Sequence, residues 1–429
     1  MTTREIRDLY GRHYRVGETD VELLGRPRSV LLAAACAAMA AAGVLQYGFA
    51  AALSSLDTTF PHTGALPALA VWVACQAGAA PLAAWLYRRL PSSLAFPLFS
   101  AAVLCGLALL TLAFASQIQI LVMGYGVLGG LGAGLTYLTC VAVVAEWYPE
   151  RTAARTGLVS AAFALGSVPV ALLIAFVDRA VLFTVAAVVV PGVLAGAAVL
   201  LRKPPRHWWP AALDPHRWAV DRVLNPSIPR NIPAVRSWTT GAAARSAALP
   251  AICLVVVLTS GLALFDLAYL GGYGAALPIA ALAAAAGLGR AFTGTLSDRL
   301  GRRRTLGVAL ALGGVAQFGL LAAVHAGSTP GAVLCGALAG AGVGTGYSLL
   351  VTLVRDFFGG DALIPTYGIA YAGKAFGGVA GVVPAAVLLH AEPHTALVTA
   401  AAGVVGLCTA ALTLALRQPG RPATIPSGG

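Results

Sequence analysis

Charge is what this sequence has least of. Of its 429 residues only 10% are Asp, Glu, Lys or Arg, 59% are hydrophobic, and mean hydropathy is +0.83. A water-soluble chain of this size cannot cover so much apolar surface, so a soluble multidomain protein is excluded and the solvent is lipid. Paired cysteines are also missing. Cys36, Cys75, Cys105, Cys140, Cys253, Cys335 and Cys408 fall singly in apolar runs without metal or redox spacing, and read as small buried hydrophobes. The histidines (His13, His62, His207, His216, His325, His390 and His394) are dispersed, with no nucleophile and base at motif spacing. A polytopic membrane enzyme therefore finds no catalytic cluster, and neither metal nor cofactor is expected. Lysine is nearly absent, at Lys203 and Lys374 alone against 26 arginines.

What is abundant is the long apolar run. A membrane-crossing helix needs roughly 20 such residues, and twelve runs qualify: 29–53, 66–87, 93–115, 119–145, 156–177, 180–201, 248–270, 275–297, 304–325, 330–354, 364–389 and 395–416. The chain divides accordingly into a hydrophilic N-terminal tail (1–28), a first six-helix bundle (29–201), a polar linker (202–247), a second bundle (248–416) and a C-terminal tail (417–429). The N-terminal tail lacks the pattern of a cleavable signal. Trp208, Trp209, Trp218 and Trp238 in the linker are expected at headgroup level. The net charge of +12 has a topological cause: 25 of the 28 basic residues lie in segments sharing one side, the exceptions being Arg179, Arg290 and Lys374. Positive-inside bias makes that side, with both termini, cytoplasmic in a cell inner membrane, and leaves no nucleic-acid footprint to explain.

The halves repeat at an offset of about 210 residues. Gly130, Gly132, Gly134, Glu146, Trp147 and Tyr148 fall on Gly340, Gly342, Gly344, Asp356, Phe357 and Phe358. Parallel repeats of six helices place a substrate site near the membrane midplane between them. The glycine runs 125–137 and 340–347 lack the Lys-Ser/Thr ending of a phosphate loop and predict close helix packing.

Two cations break the symmetry. Arg290 lies eight residues before Asp298, and Lys374 ten residues into the eleventh run, so both stand ~12–15 Å inside the hydrocarbon. At such depth a cation costs ~2.5–3.5 kcal/mol on insertion scales and faces a cavity or partner. On the repeat they align with Ala80 and Phe163, and no carboxylate stands at mid-depth, since Asp57 and Asp266 lie near outer helix ends. Two cations without an internal counter-ion predict an external one, a small organic anion, and repulsion in the empty cavity favours exchange. Tyr367 and Tyr371 share a helical face with Lys374; Tyr137, Gln46, Tyr47 and Gln76 are weaker candidates for the opposing wall. A hydrophobic-drug exporter and a transporter-like receptor are the rival readings.

The segment GTLSDRLGRRR closes the eighth run and opens the ninth. Its Gly294, Asp298, Arg299, Gly301, Arg302 and Arg303 match the G-x-x-x-D-R-x-G-R-R loop motif of the major facilitator superfamily, which the chain resembles and in which the motif latches cytoplasmic helix ends. The first-half copy has Arg88 in place of the acid and lacks the Gly. The resemblance implies an all-α membrane protein of twelve helices in two pseudo-symmetric six-helix bundles, and a monomeric carrier. From about 120 to 380 the chain is also similar to the oxalate:formate antiporter family, related to the monocarboxylate transporters, in 124–166, KPPRHWWP and GLGRAFTGTLSDRLGRRR. That resemblance implies that Arg290 and Lys374 bind carboxylates. It departs at QYGFAAL (46–52), where the family has a Y-x-W-S signature. It also has Ala286 where proton-coupled monocarboxylate relatives carry an Asp, which argues against that route of coupling.

Overall fold

The structure is a computed structural model describing residues 4–8, 12–61, 64–90, 92–228, 230–274, 276–390 and 395–421, without the side chains of His390 and Thr395. His62, His394 and the outer parts of both tails lie outside the described residues. Twelve helices are long and apolar enough to cross a membrane. They are α1 (Arg28–Ala51), α2 (Leu66–Arg89), α3 (Ala95–Phe114), α4 (Ile118–Trp147), α5 (Pro149–Leu173) and α6 (Arg179–Leu200), then α7 (Ala248–Gly272), α8 (Ala276–Leu300), α9 (Arg302–His325), α10 (Thr329–Phe358), α11 (Leu363–Leu389) and α12 (Ala396–Ala415). In α4 and α10 78% of the apolar window is buried, in α6 and α12 33%, so the former line the interior and the latter face lipid.

The sequence repeat is built into the packing. A Cβ on Gly130 would lie 2.5 Å from Trp72 O, and one on Gly340 would lie 2.4 Å from Leu282 O. Gly134 likewise meets Gln76 O, and Gly344 meets Ala286 O. The contacted residues are themselves repeat mates, so α4 crosses α2 as α10 crosses α8, at a distance only glycine permits. The halves meet along two equivalent seams. In one, α5 lies against α8, where Gly157 approaches Arg290 O and Gly294 approaches Ala153 O; in the other, α11 lies against α2, where Gly368 approaches Ala80 O.

The linker and N-terminal tail fold together. An antiparallel hairpin, β1 (Arg4–Arg7) and β2 (His13–Val16), joins the linker through the Arg15–Trp208 bridge. The ring of Trp209 packs edge-on against Tyr14 at 4.8 Å and Trp218 at 5.0 Å. Trp208 donates to Glu18 O and packs on Trp147. These three tryptophans are buried in protein, which corrects their expected headgroup placement: their rings cover the hairpin and the α4 end instead. Trp238, half-buried, packs against Phe358. The cysteine expectation is also corrected in part. Cys105 and Cys140 are buried, but Cys408 is exposed on α12, where lipid replaces protein as the apolar surroundings.

Candidate functional site

The site grows out of a local irregularity in α1. Residues Val44–Gly48 form a π-helical turn, whose wider winding lets consecutive side chains diverge less than in an α-helix. Gln46 and Tyr47 use this to reach both cations. Lys374 Nζ donates to Gln46 Oε1 at 2.9 Å, and Arg290 Nη2 donates to Tyr47 Oη at 3.1 Å. Arg290 also donates through Nη1 to Ser160 O at 3.0 Å and through Nε to Gly344 O at 3.2 Å. Both cations are 2% exposed, and among the described residues neither takes part in an ion pair. Their partners are neutral oxygens and aromatic faces.

Both cations share the ring of Tyr347. The Arg290 guanidinium stands 5.0 Å and the Lys374 ammonium 5.2 Å from its ring centroid, both within cation–π range. The two charges are therefore within about 10 Å of each other, where like charges repel by about 2 kcal/mol or more at an effective dielectric of about 20. Trp72, Phe163 and Tyr371 complete the aromatic wall, each 5.8–5.9 Å from Lys374 Nζ. Tyr137 stacks on Tyr371 at 4.7 Å and shares a hydrogen bond with Ser160 Oγ, while Tyr367 leans on Tyr371 at 5.8 Å. The Tyr371 hydroxyl and both Gln76 amide atoms are buried without a hydrogen-bond partner among the described residues.

Sequence reasoning singled out Arg290, Lys374, Gln46, Tyr137, Tyr367 and Tyr371, and the structure brings these together. Gln76 is buried one turn beyond Trp72 on α2 and contacts neither cation through a hydrogen bond. Tyr347, Trp72, Phe163 and Ser160 were missed as site residues. Tyr347 had a signal, because it is the repeat mate of Tyr137; reading its glycine run as packing hid it. Asp266 pairs with neither cation. It accepts from Gln317 Nε2 on α9 at 2.8 Å.

On the side carrying the linker, Gly301 turns the α8–α9 corner at φ 96°, a conformation side chains with a Cβ rarely adopt. Arg302 is thereby aimed back at Asp298 (2.7 Å) and across to Asp356 on α10 (3.2 Å). The linker straps this junction: Ser227 Oγ donates to Asp298 Oδ1, while Asn231 accepts from Arg302 N and donates to Ser297 O. Arg303 donates to Leu416 O, Arg299 is exposed, and Gly294 seats α8 on α5. The first half builds the equivalent junction without the motif acid, through a hydrogen bond of 2.6 Å from Tyr87 Oη to Glu146 Oε2. Lys203, its charged form disfavoured by burial and favoured by Glu146, caps Tyr87 O and Leu90 O.

The chain matches the Major Facilitator Superfamily over residues 30–279 and 271–429. It belongs to that family. Relatives in this major facilitator family include the Escherichia coli (strain K12) uncharacterised MFS-type transporter YhjX, 28% identical over 65% of this chain and 67% of its own length. A 38 kDa protein encoded in the 23S RNA operon of Thermoproteus tenax is 28% identical over the same shares. The fold is similar to the human organic anion transporter MFSD10 (TETRAN), with TM-score 0.67 and 14% identity over 90% of this chain and all of that one. It is also similar to the proton:xylose symporter XylE, with TM-score 0.64 and 15% identity over 89% and 94%. The chain is thus a multi-pass membrane transporter of the major facilitator fold.

The halves touch on both sides of the site. On the linker side Arg355 of α10 donates to Pro149 O at 2.9 Å and to Thr152 Oγ1, joining the halves. On the far side a Cβ on Gly271 of α7 would come 2.7 Å from Ala50 O of α1. Hydrogen bonds from charged donors contribute about 1.5–3 kcal/mol. Arg355→Ala is expected to shift the equilibrium about 10-fold toward a linker-side-open state, read as a longer distance between spin labels at Arg151 and Gly360. An unchanged distance distribution would remove Arg355 from the gate.

Proposed function

We propose that this transporter carries small organic anions, mono- or dicarboxylates of the oxalate and formate type, by alternating access through the centre between its halves. The observation that carries this reading is the pair Arg290 and Lys374, enclosed between the halves and held by neutral partners. A carboxylate entering between them would take bidentate bonds from the guanidinium and a third from the ammonium, replacing weaker bonds to Tyr47 and Gln46. The aromatic wall of Trp72, Phe163, Tyr137, Tyr347 and Tyr371 excludes water, which strengthens each of those contacts. The likeness of 124–166 and 287–304 to the oxalate:formate antiporters supports the same substrate class.

The mode is exchange. Two like charges within about 10 Å of each other disfavour reorientation of the unloaded carrier, and an anion relieves them. The protein works as a monomer in a cell inner membrane, with its linker side and termini cytoplasmic, supported by the 25 basic residues on that side.

Counterflow in proteoliposomes, with a panel of labelled carboxylates and matched neutral solutes, tests the reading. The wild type is expected to exchange at least one carboxylate and no neutral solute. Exchange of none, or accumulation of hydrophobic compounds that survives loss of both cations, would overturn it in favour of an exporter.

Tyr347 supplies a finer test. Tyr347→Phe keeps the ring against both cations and is expected to leave the carboxylate KM within about 3-fold. Tyr347→Leu removes two cation–π contacts of about 0.5–2 kcal/mol each and is expected to raise KM by about 10-fold. Equal effects of Phe and Leu would show that the ring face is not what matters.

A further inference from the structure

One buried charge has no part in this anion site. Asp266 on α7 is fully buried, six residues or ~9 Å from the far end of its helix. Gln317 on α9 is equally buried. Gln317 Nε2 donates to Asp266 Oδ2 at 2.8 Å, but Asp266 Oδ1 and Gln317 Oε1 are both without a partner among the described residues. Two unsatisfied acceptors on one hydrogen-bonded pair is an unstable arrangement in a membrane interior. No ion pair among the described residues includes Asp266. The titratable groups on the far-side parts of the elements around it are Tyr269 on α7, Tyr273 just past its end, Tyr47 on α1, Asp57 beyond it, Cys335 on α10, His325 at the end of α9 and His390 at the end of α11, with Cys408 on α12 and Lys374 on α11 nearer the midplane. Arg290 on α8 is committed to the central site. The α7–α11 register, in which Gly381 meets Gly261, sets Lys374 ~18 Å toward the linker side of Asp266.

A single proton resolves the mismatch. An ionised carboxylate only accepts, whereas a carboxylic acid offers one donor and one acceptor, the complement of a primary amide. With Nε2–H already on Oδ2, a proton on Oδ1 can be donated to Gln317 Oε1, closing a cyclic acid–amide pair that satisfies all four atoms.

We propose that Asp266 and Gln317 form a proton-binding site that sets how readily the far side of the transporter opens. The proton is taken from far-side water while that side is open, held on Oδ1 while it is closed, and returned to the same water when the carboxyl is next exposed, so no proton crosses the membrane. Asp266 stands just over one turn from Gly271, where α7 closes on α1, so the neutral acid favours far-side closure and the carboxylate favours opening. The site lies apart from Ala286, where monocarboxylate relatives place their acid. The transport link rests on the anion reading above; proton binding does not.

Two readouts on the full chain in proteoliposomes separate these. The first is the infrared carbonyl band of a neutral carboxylic acid, recorded without substrate. It is expected in wild type at neutral pH, lost on alkalinisation, absent in Asp266→Asn and retained in Asp57→Asn; the same spectrum in wild type and Asp266→Asn would overturn the proposal. The second is exchange of labelled oxalate against far-side pH. Wild-type exchange is expected to fall at least 10-fold over three pH units of acidification, because the neutral acid holds the far side closed. Asp266→Asn, which can keep both bonds to Gln317 but cannot titrate, is expected to transport with less than 2-fold variation over that range. An undiminished pH profile in the variant would also overturn it. Wild type that carries no oxalate yet shows the band would defeat the anion reading and leave the proton site standing.

Discussion

Arg290→Ala and Lys374→Ala are each expected to lower carboxylate counterflow, as kcat/KM, by at least 100-fold, and the double variant to be inactive. The magnitude follows from burial. Both side chains are 2% exposed, so a bound anion and its cations are desolvated together. Removing one partner from such a pair costs about 3–5 kcal/mol, because the other charge is left buried alone, and each 1.4 kcal/mol is tenfold. The two variants should differ in kind. Arg290 is anchored by three hydrogen bonds, to Ser160 O, Gly344 O and Tyr47, from α5, α10 and α1. Arg290→Lys cannot span those acceptors with its compact ammonium and is expected to lose about 10-fold or more. Among the described residues Lys374 hydrogen-bonds only Gln46, and Lys374→Arg is expected to fail for lack of space among Trp72, Phe163 and Tyr347. Retained flux in both alanine variants would mean that the cations serve the fold alone.

Gly43→Ala is expected to damage both stability and transport. A Cβ there would lie 1.7 Å from Phe163 O and 3.1 Å from Ser167 Oγ, and the first is backbone that cannot turn aside. Helix α1 must move away from α5, at an overpacking cost of about 1–3 kcal/mol or more. The π-helical turn carrying Gln46 and Tyr47 begins at the next residue, and Phe163 itself faces Lys374. Displacing this crossing therefore loosens one wall of the site. The expected result is a clear loss of melting temperature in detergent and a fall of about 10-fold or more in carboxylate affinity. Gly192→Ala on α6 is the control, because nothing lies within 4 Å of its Cβ; it should match wild type. A Gly43→Ala protein as stable and active as Gly192→Ala would contradict the packing described between α1 and α5.

The membrane architecture was legible because lipid imposes it residue by residue. Each span needs a long apolar run, and twelve such runs are present. The errors fell where helices carry polar residues beyond their apolar stretch. Helix α5 was expected from 156 but starts at Pro149, and its first turns hold Arg151 and Arg155, which hydropathy reads as loop. The two cations were legible because charge in an apolar run is conspicuous. Their partners were not. Gln46 and Tyr47 reach them through a π-helical turn with no clear sequence mark, and Ser160 and Gly344 contribute backbone carbonyls. Trp72 and Phe163 are ordinary aromatics in a membrane helix until Lys374 is placed beside them. Tyr347 alone was within reach, through its repeat relation to Tyr137. The linker tryptophans were misplaced because their partners, Tyr14 and Trp147, come from distant segments.

The central claim is that the cargo supplies the counter-charge to Arg290 and Lys374. Binding of a carboxylate and of its primary amide, nearly equal in shape and unequal in charge, tests it most directly; oxalate and oxamide are such a pair. Calorimetry on purified protein is expected to show oxalate binding at least 100-fold more tightly than oxamide, with the preference gone in the double variant Arg290→Ala, Lys374→Ala. Equal affinity for acid and amide in the wild type, or a preference for oxalate that survives the loss of both cations, would contradict the account.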